Sequence, residues 1–334
     1  MNLPRISVII TAYNRKDFLM EAINSVLDQR MDPSEYELIV VTNFHMELDH
    51  FSPNLDISSI MMDGAVGEFI YAGIKASKYE IISFLDDDDA WESDKIARVL
   101  GVFRNDEKTM YYHNSYLYMD SYGNQINYSR MVESRLSLSL TGILSFDSLN
   151  EMDKFNTVLS MNGDFNLSCI SVRRSALEKY LELLKMITGG TDAFFFWTSI
   201  ISGGMMLIDS KKLTRYRVRE LNVIKSIGFR GKTAEIGRQI RTYSLLINYL
   251  NKDRLQIRNK TLIERCINLI KLEYELNQII FLRGERAKII KKAGMLYRYG
   301  RKFKSTLKCR LLFFCGIYLI SPKISIYIYE KISR

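Results

Sequence analysis

The apolar positions change their spacing several times along the chain, and each change marks an element. "RISVIITAY" (5–13) is a nearly continuous apolar run rich in β-branched residues, the pattern of a buried strand. After it, Phe18, Leu19, Ala22, Ile23, Val26 and Leu27 recur at the helical period, with Asn14 available as N-cap. "YELIVV" (36–41) reads as a second buried strand and "ISSIMM" (57–62) as a candidate third. "GEFIYAGIKAS" (67–77) is helical, "YEIISFL" (79–85) is again a strand, and "ESDKIARVLGVF" (92–103) is an amphipathic helix. Strands alternating with helices imply βαβ units. The expected class is α/β, with a mainly parallel, Rossmann-like sheet covered on both faces.

The pattern changes again near residue 226. "AEIGRQIRTYSLLINYL" and "KTLIERCINLIKLEYELNQIIFL" are long amphipathic helical patterns, which predict a helical appendage over 226–334 behind a sheet domain over 1–225. Residues 130–165 lie within the first domain and are polar and irregular, with Ser and Asn clusters.

Composition bounds the chemistry. At 47% hydrophobic and 25% charged, the 334 residues can build a sizeable core and do not read as disordered. Cys169, Cys266, Cys309 and Cys315 show no metal-ligand spacing and read as reduced thiols. The opening "MNLPRISVIITAY" lacks the basic region and cleavage site of a signal peptide. The net charge of +9 is unevenly placed: from Arg283 to Arg310 there are eleven Lys or Arg against Glu285, so this stretch carries +10 and the remainder −1. It is followed by "LLFFCGIYLISPKISIYIY" (311–329), which Pro322 and Lys323 interrupt. A spanning helix needs about 20 apolar residues. An interfacial segment beside anionic lipid fits better, and a buried C-terminal helix is the alternative.

"FLDDDDAW" (84–91) sets the main question. Four adjacent aspartates repel one another, at about 1 kcal/mol per pair in water and about 4 nearer a protein surface. They follow a predicted strand, and ligands of open α/β sheets bind beyond the carboxyl ends of strands. Mg²⁺ or Mn²⁺ would relieve the crowding and bridge to phosphate oxygens. The alternative is a solvated acidic turn before a helix N-terminus. There is no P-loop lysine motif and no G-x-G-x-x-G after a strand. His45 and His50, with Glu47 and Asp49, raise a zinc alternative whose spacing favours solvated loop residues, and His113 reads as structural.

The motifs in order resemble the inverting glycosyltransferases of family 2, which have the GT-A nucleotide-sugar fold. "SVIITAYNR" (7–15) is similar to the family's first strand and turn, and "FLDDDDAWESDKI" (84–96) to its metal motif. "YYHNSYLYMDSYGNQI" (111–126) resembles the strand and turn that follow. "GGTDAFFFWTSIISGGMMLID" (189–209) resembles the acceptor segment and "LTRYRVRELNV" (213–223) the segment that closes on the diphosphate. The resemblance implies that Thr11, Tyr13 and Arg15 line the nucleotide pocket, that Asp86 or Asp87 contacts ribose, and that Asp88, with Asp86, holds Mn²⁺ or Mg²⁺. It makes Asp192 the general base, with a helix cap as the alternative. Trp91 and Trp197 either present faces to the acceptor or belong to the core.

Three positions depart from the family pattern. Thr42 and Asn43 stand where two acids are usual, which leaves the Asn43 amide for the base edge. "EFIYAGI" (68–74) lacks the usual Arg-Asn. Arg219 stands near the position of a histidine close to the metal; it cannot ligate a cation, but with Arg217 on the same strand face it can fork onto a diphosphate. The implied activity is metal-assisted transfer of a sugar from a nucleotide diphosphate to a glycan or lipid-linked acceptor, with inversion. The implied setting is the cytoplasmic face of an anionic membrane, with no nucleic acid as partner. A nucleotidyltransferase and a catalytically silent nucleotide-sugar-binding module are the alternatives.

Overall fold

The computed structural model describes residues 3–48, 54–126, 140–151, 163–218, 229–252 and 286–299, with separate positions between 154 and 161, between 263 and 278, and at 315. The chain divides into two compact units, Met1–Leu221 and Asn222–Arg334.

The first unit is built on one nine-stranded sheet. Its elements in order are β1 (Ile6–Ala12), α1 (Leu19–Leu27), β2 (Tyr36–Thr42), β3 (Asp56–Met61), α2 (Val66–Ala76), β4 (Ile81–Asp86), β5 (Ala90–Trp91), α3 (Lys95–Asn105) and β6 (Thr109–Met119). There follow β7 (Ile143–Asp147), β8 (Ile170–Arg173), α4 (Thr191–Ser202) and β9 (Met205–Arg217). The sheet order is β3-β2-β1-β4-β8-β6-β9-β5, and β7 pairs with β9.

The first half of the sheet, β3-β2-β1-β4, is wholly parallel. Beyond it, β8 runs antiparallel to both β4 and β6, while β9 is parallel to β6. This is the expected α/β class. The antiparallel strands β5, β7 and β8 are what the alternation of sequence patterns does not display; β7 lies inside the stretch that reads as irregular.

Burial explains the layers. In β1 and β2, every residue but Thr11 is buried, which is why both read as continuous apolar runs. Ile6, Val8 and Ile10 share a cluster with Leu19, Ala22, Ile23 and Val26 of α1 and Ile96, Val99, Leu100 and Phe103 of α3. The other face meets α2 and α4: Phe84 stacks on Phe195 at 4.3 Å. Gly73 lets α2 lie directly on β1, since a Cβ there would stand 2.6 Å from Ile9 Cγ2.

The second unit contains α5 (Phe229–Lys252) and α6 (Arg286–Tyr299). Tyr243, Leu246 and Leu250 of α5 are buried together with Ile263, Ile267, Leu276 and Ile289. Among the described residues no helix is long and apolar enough to cross a membrane. Most of the stretch 300–334, including the apolar run, lies outside the described residues.

Candidate active site

The four aspartates stand where β4 ends and the chain turns into β5. Asp86 is the last residue of β4, and Asp89 N–H donates to Asp86 O at 3.2 Å, closing the turn. The four carboxylates divide by environment. Asp89 is buried and accepts from Ser168 Oγ (2.6 Å), Asn166 Nδ2 (3.3 Å) and Arg217 N (2.9 Å). Asp87 is buried and accepts from Arg15 Nε at 2.9 Å, with Arg15 Nη2 closing a two-pronged pair. Asp86 and Asp88 are the more exposed members. Arg15 Nη1 also reaches Asp88 Oδ2 at 3.1 Å.

Crowding leaves its mark on these groups. Burial first, then Asp89, Asp88 and Asp87, pushes Asp86 well above the usual carboxylate range, and Arg15 offsets this in part. Burial, aided by Asp88, raises Asp89 to about 7 against the pull of its hydrogen bonds. Ionising all four beside the single Arg15 guanidinium is therefore opposed, and a bound cation would favour it. Among the described residues no group of three or more His, Cys, Asp or Glu forms a protein-only metal cage. This donor set fits an ion shared between one or two carboxylates and a ligand's phosphate oxygens, the usual mode of Mg²⁺.

Several sequence expectations change here. Arg217 is not available to fork onto a ligand: its side chain is 0% exposed. Nε donates to Asp88 O and Nη1 to Asp120 O, each at 2.8 Å, while Nη2 pairs with Glu21. The guanidinium also covers the Phe18 ring at 4.1 Å. Arg217 is a clamp joining α1, the aspartate turn and the end of β6. Arg219 lies outside the described residues.

Trp91 and Trp197 are core, not sugar platforms, because both are buried. Trp91 Nε1 donates to Ser168 O at 2.9 Å, and Trp197 packs edge-on against Phe196. Asn14 does not cap α1. It adopts φ 55°, and its N–H and side chain pair with the Asn43 amide at 2.8 and 2.7 Å. That amide thereby joins the ends of β1 and β2, using one donor and one acceptor.

The helix-cap alternative for Asp192 gives way to Gly190, which occupies the N-cap of α4 in the left-handed region at φ 72°. Asp192 sits in the first turn, where the helix dipole favours a carboxylate, and Asp192 Oδ1 accepts from Ala193 N at 2.9 Å. Thr11 lies one residue before the end of β1, in register with Asp86, and Tyr13 is exposed, edge-on to Phe69. The structure thus groups Thr11, Arg15 and Asp86–Asp89 at the carboxyl ends of β1 and β4. His45 is exposed beside Glu47, His50 lies outside the described residues, and His113 is a buried residue of β6.

Two titratable groups escape a sequence reading. Lys95 Nζ donates to Asn114 Oδ1 and Ser168 O, both at 2.7 Å, and to Thr214 Oγ1 at 3.2 Å. Burial lowers it to about 7, and Cys169 and Asp89 act against that shift. Its position four residues before Val99, on the apolar face of α3, was the available signal. Asp164 is the second: burial, and after it the charge of Asp192, push it up to about 7.

Residues 7–48 and 64–181 match the model of Glycosyl transferase family 2. The first unit is a family 2 glycosyltransferase domain. An uncharacterized glycosyltransferase of Nostoc sp. is 32% identical over 111 residues, covering 31% of this chain and 34% of that protein. One from Rickettsia felis is 27% identical over 187 residues, covering 49% of this chain and 31% of its own length. The chain therefore spans about a third of the length of these curated relatives. Crystal structures of S. aureus TarS 1-349 share the glycosyltransferase fold. The complex with UDP-GlcNAc aligns at TM-score 0.57 and 13% identity, covering 94% of this chain and 91% of the other. The complex with UDP aligns over the same shares at TM-score 0.51 and 12% identity.

Proposed function

We propose that this chain transfers a sugar from a nucleotide diphosphate to an acceptor hydroxyl, with inversion at the anomeric carbon. The observation that carries this reading is the division of the aspartates. Asp87 and Asp89 build the turn, and Asp86 and Asp88, the less buried pair, stand at the end of β4 where a bound cation would favour their ionised forms. Asp88, with Asp86, would hold a divalent ion there, and a bound ion supplies Lewis-acid stabilisation of a leaving diphosphate. The structures of TarS with UDP-GlcNAc and UDP support a nucleotide-sugar donor.

The chain's own groups take the remaining tasks. Asp192 accepts the proton of the acceptor hydroxyl as it attacks. Thr11 and Tyr13 flank the nucleotide. Arg15, already poised on Asp87 and Asp88, offers a guanidinium to anionic donor oxygens. UDP- or GDP-sugars incubated with the full chain and Mn²⁺ release nucleoside diphosphate, and a chelator stops the release. Release unaffected by chelation counts against the ion. No release from any donor favours the silent binding module, and nucleotidyl transfer would instead release pyrophosphate from a nucleoside triphosphate.

The basic stretch 283–310 we assign to an anionic membrane surface on the cytoplasmic side, and a glycan or lipid-linked acceptor suits that setting. In α6, Lys288 and Lys291 are exposed beside exposed Ile290 and Met295, the mixture an interfacial helix uses. Lys292 is instead paired with Glu275. Each Lys or Arg near such a surface contributes about 1 kcal/mol. Binding to phosphatidylserine vesicles weakens as salt rises, and more so in Lys288→Gln/Lys291→Gln. Indifference to these vesicles at low salt returns the segment to a solvated role.

A further inference from the structure

Asp164, Phe165 and Asn166 run from one side of the proposed chemistry to the other. Asn166 reaches Asp89 of the aspartate turn, while Asp164 feels the charge of Asp192. Gly163, three residues before Asn166, is held by Tyr111, which packs edge-on against Phe196, one turn along α4 from Asp192. Phe165 thus joins the segment held against α4 to the segment held against the aspartate turn.

The segment is firmly held. His113 Nε2 donates to Phe165 O at 2.7 Å, and Tyr111 Oη donates to Gly163 O at 3.2 Å. Asn166 adopts φ 75°, an unfavourable conformation for a residue with a side chain, and its Oδ1 accepts from Ser168 N at 2.9 Å. Phe165 itself is 37% exposed.

The ring also has a backing. Asp89 holds Asn166 on one side and Arg217 N–H on the other, so the residues just before them are brought together. The rings of Phe165 and Tyr216 lie 5.7 Å apart, and those of Tyr216 and Tyr118 5.9 Å apart. The aromatic group thus adjoins the donor side.

We propose that the open part of Phe165, backed by Tyr216 and Tyr118, is the platform on which the ring of a pyranoside acceptor stacks beside Asp192. The proposal rests on the glycosyl-transfer reading above and names the acceptor class. A pyranose has a face of C–H groups that lies well against an aromatic ring and a rim of hydroxyls that needs polar partners. Asp164 supplies one such partner. An open-chain polyol has no comparable face.

Saturation-transfer NMR on the full chain tests this with the methyl pyranosides of glucose, galactose, mannose and N-acetylglucosamine, and with sorbitol as the open-chain control. At least one pyranoside receives saturation at its ring C–H protons when the aromatic protons are irradiated, and sorbitol does not. The transfer is lost in Phe165→Leu, which keeps apolar bulk without a flat face, and is retained in Phe165→Tyr. Melting curves confirm that both variants fold. UDP titration of the same preparations separates the two readings. UDP binding without transfer to any pyranoside overturns the platform alone, and absence of both overturns the donor reading with it. Equal transfer in wild type and Phe165→Leu, or equal transfer to sorbitol, also overturns the platform.

Discussion

Replacing Asp192 by asparagine lowers turnover by roughly 10²- to 10⁴-fold, the usual worth of a positioned general base. Shape is kept, because the amide oxygen still accepts from Ala193 N as Asp192 Oδ1 does at 2.9 Å. Nucleotide affinity stays near the wild-type value, since the base acts on the acceptor. Asp164 is the natural rival, but it is pushed up to about 7 and is therefore largely protonated below neutral pH. Asp164→Asn accordingly costs less turnover than Asp192→Asn. Steady-state release of nucleoside diphosphate in the presence of acceptor measures both. Near-normal turnover in Asp192→Asn would leave that residue as a favourable charge in the first turn of α4 and nothing more.

Arg217→Met gives the largest expected loss of stability, about 2–4 kcal/mol. Methionine fills much of the volume but donates nothing, so Asp88 O and Asp120 O lose their 2.8 Å partners inside the fold. The lost ion pair adds less, because Glu21 is 41% exposed and can be hydrated. Urea unfolding of variant and wild type reads the difference. Nucleotide affinity falls as well, because the aspartate turn loses its clamp. The contrast with a diphosphate-binding arginine is sharp: such a residue would weaken nucleotide binding and leave the unfolding midpoint where it was. That outcome would reinstate the expectation drawn from the sequence.

The difference between these two residues shows what the sequence makes legible. The parallel half of the sheet is announced by β1, β2 and β4, whose apolar runs are a direct consequence of burial on both faces. Helices α1, α2 and α3 follow because their buried positions recur at the helical period. The aspartates stand out because their mutual repulsion has to be answered by something. By contrast, β5 is two residues long and β8 only four, with Ser171 facing Ser83 across the ladder, so neither carries a pattern.

Trp91 and Trp197 mislead because large aromatics near a polar motif look like ligand contacts, and tryptophan is seldom buried completely. Arg217 misleads for another reason. Its partners Glu21, Asp88 and Asp120 lie 196, 129 and 97 residues away along the chain, and only the folded sheet brings them together. Asp164 and Phe165 sit at the end of a stretch with no period at all. Their place beside the aspartate turn depends on the unusual backbone of Asn166, which residue type does not reveal.

The central claim is that Asp88 couples a divalent ion to the diphosphate of the donor. Calorimetric titration of UDP into wild type and Asp88→Asn, each with and without Mn²⁺, tests it most directly. The account predicts that Mn²⁺ tightens UDP binding to the wild type, and that this gain disappears in Asp88→Asn while the melting temperature is kept. An equal Mn²⁺-dependent gain in both proteins would contradict it.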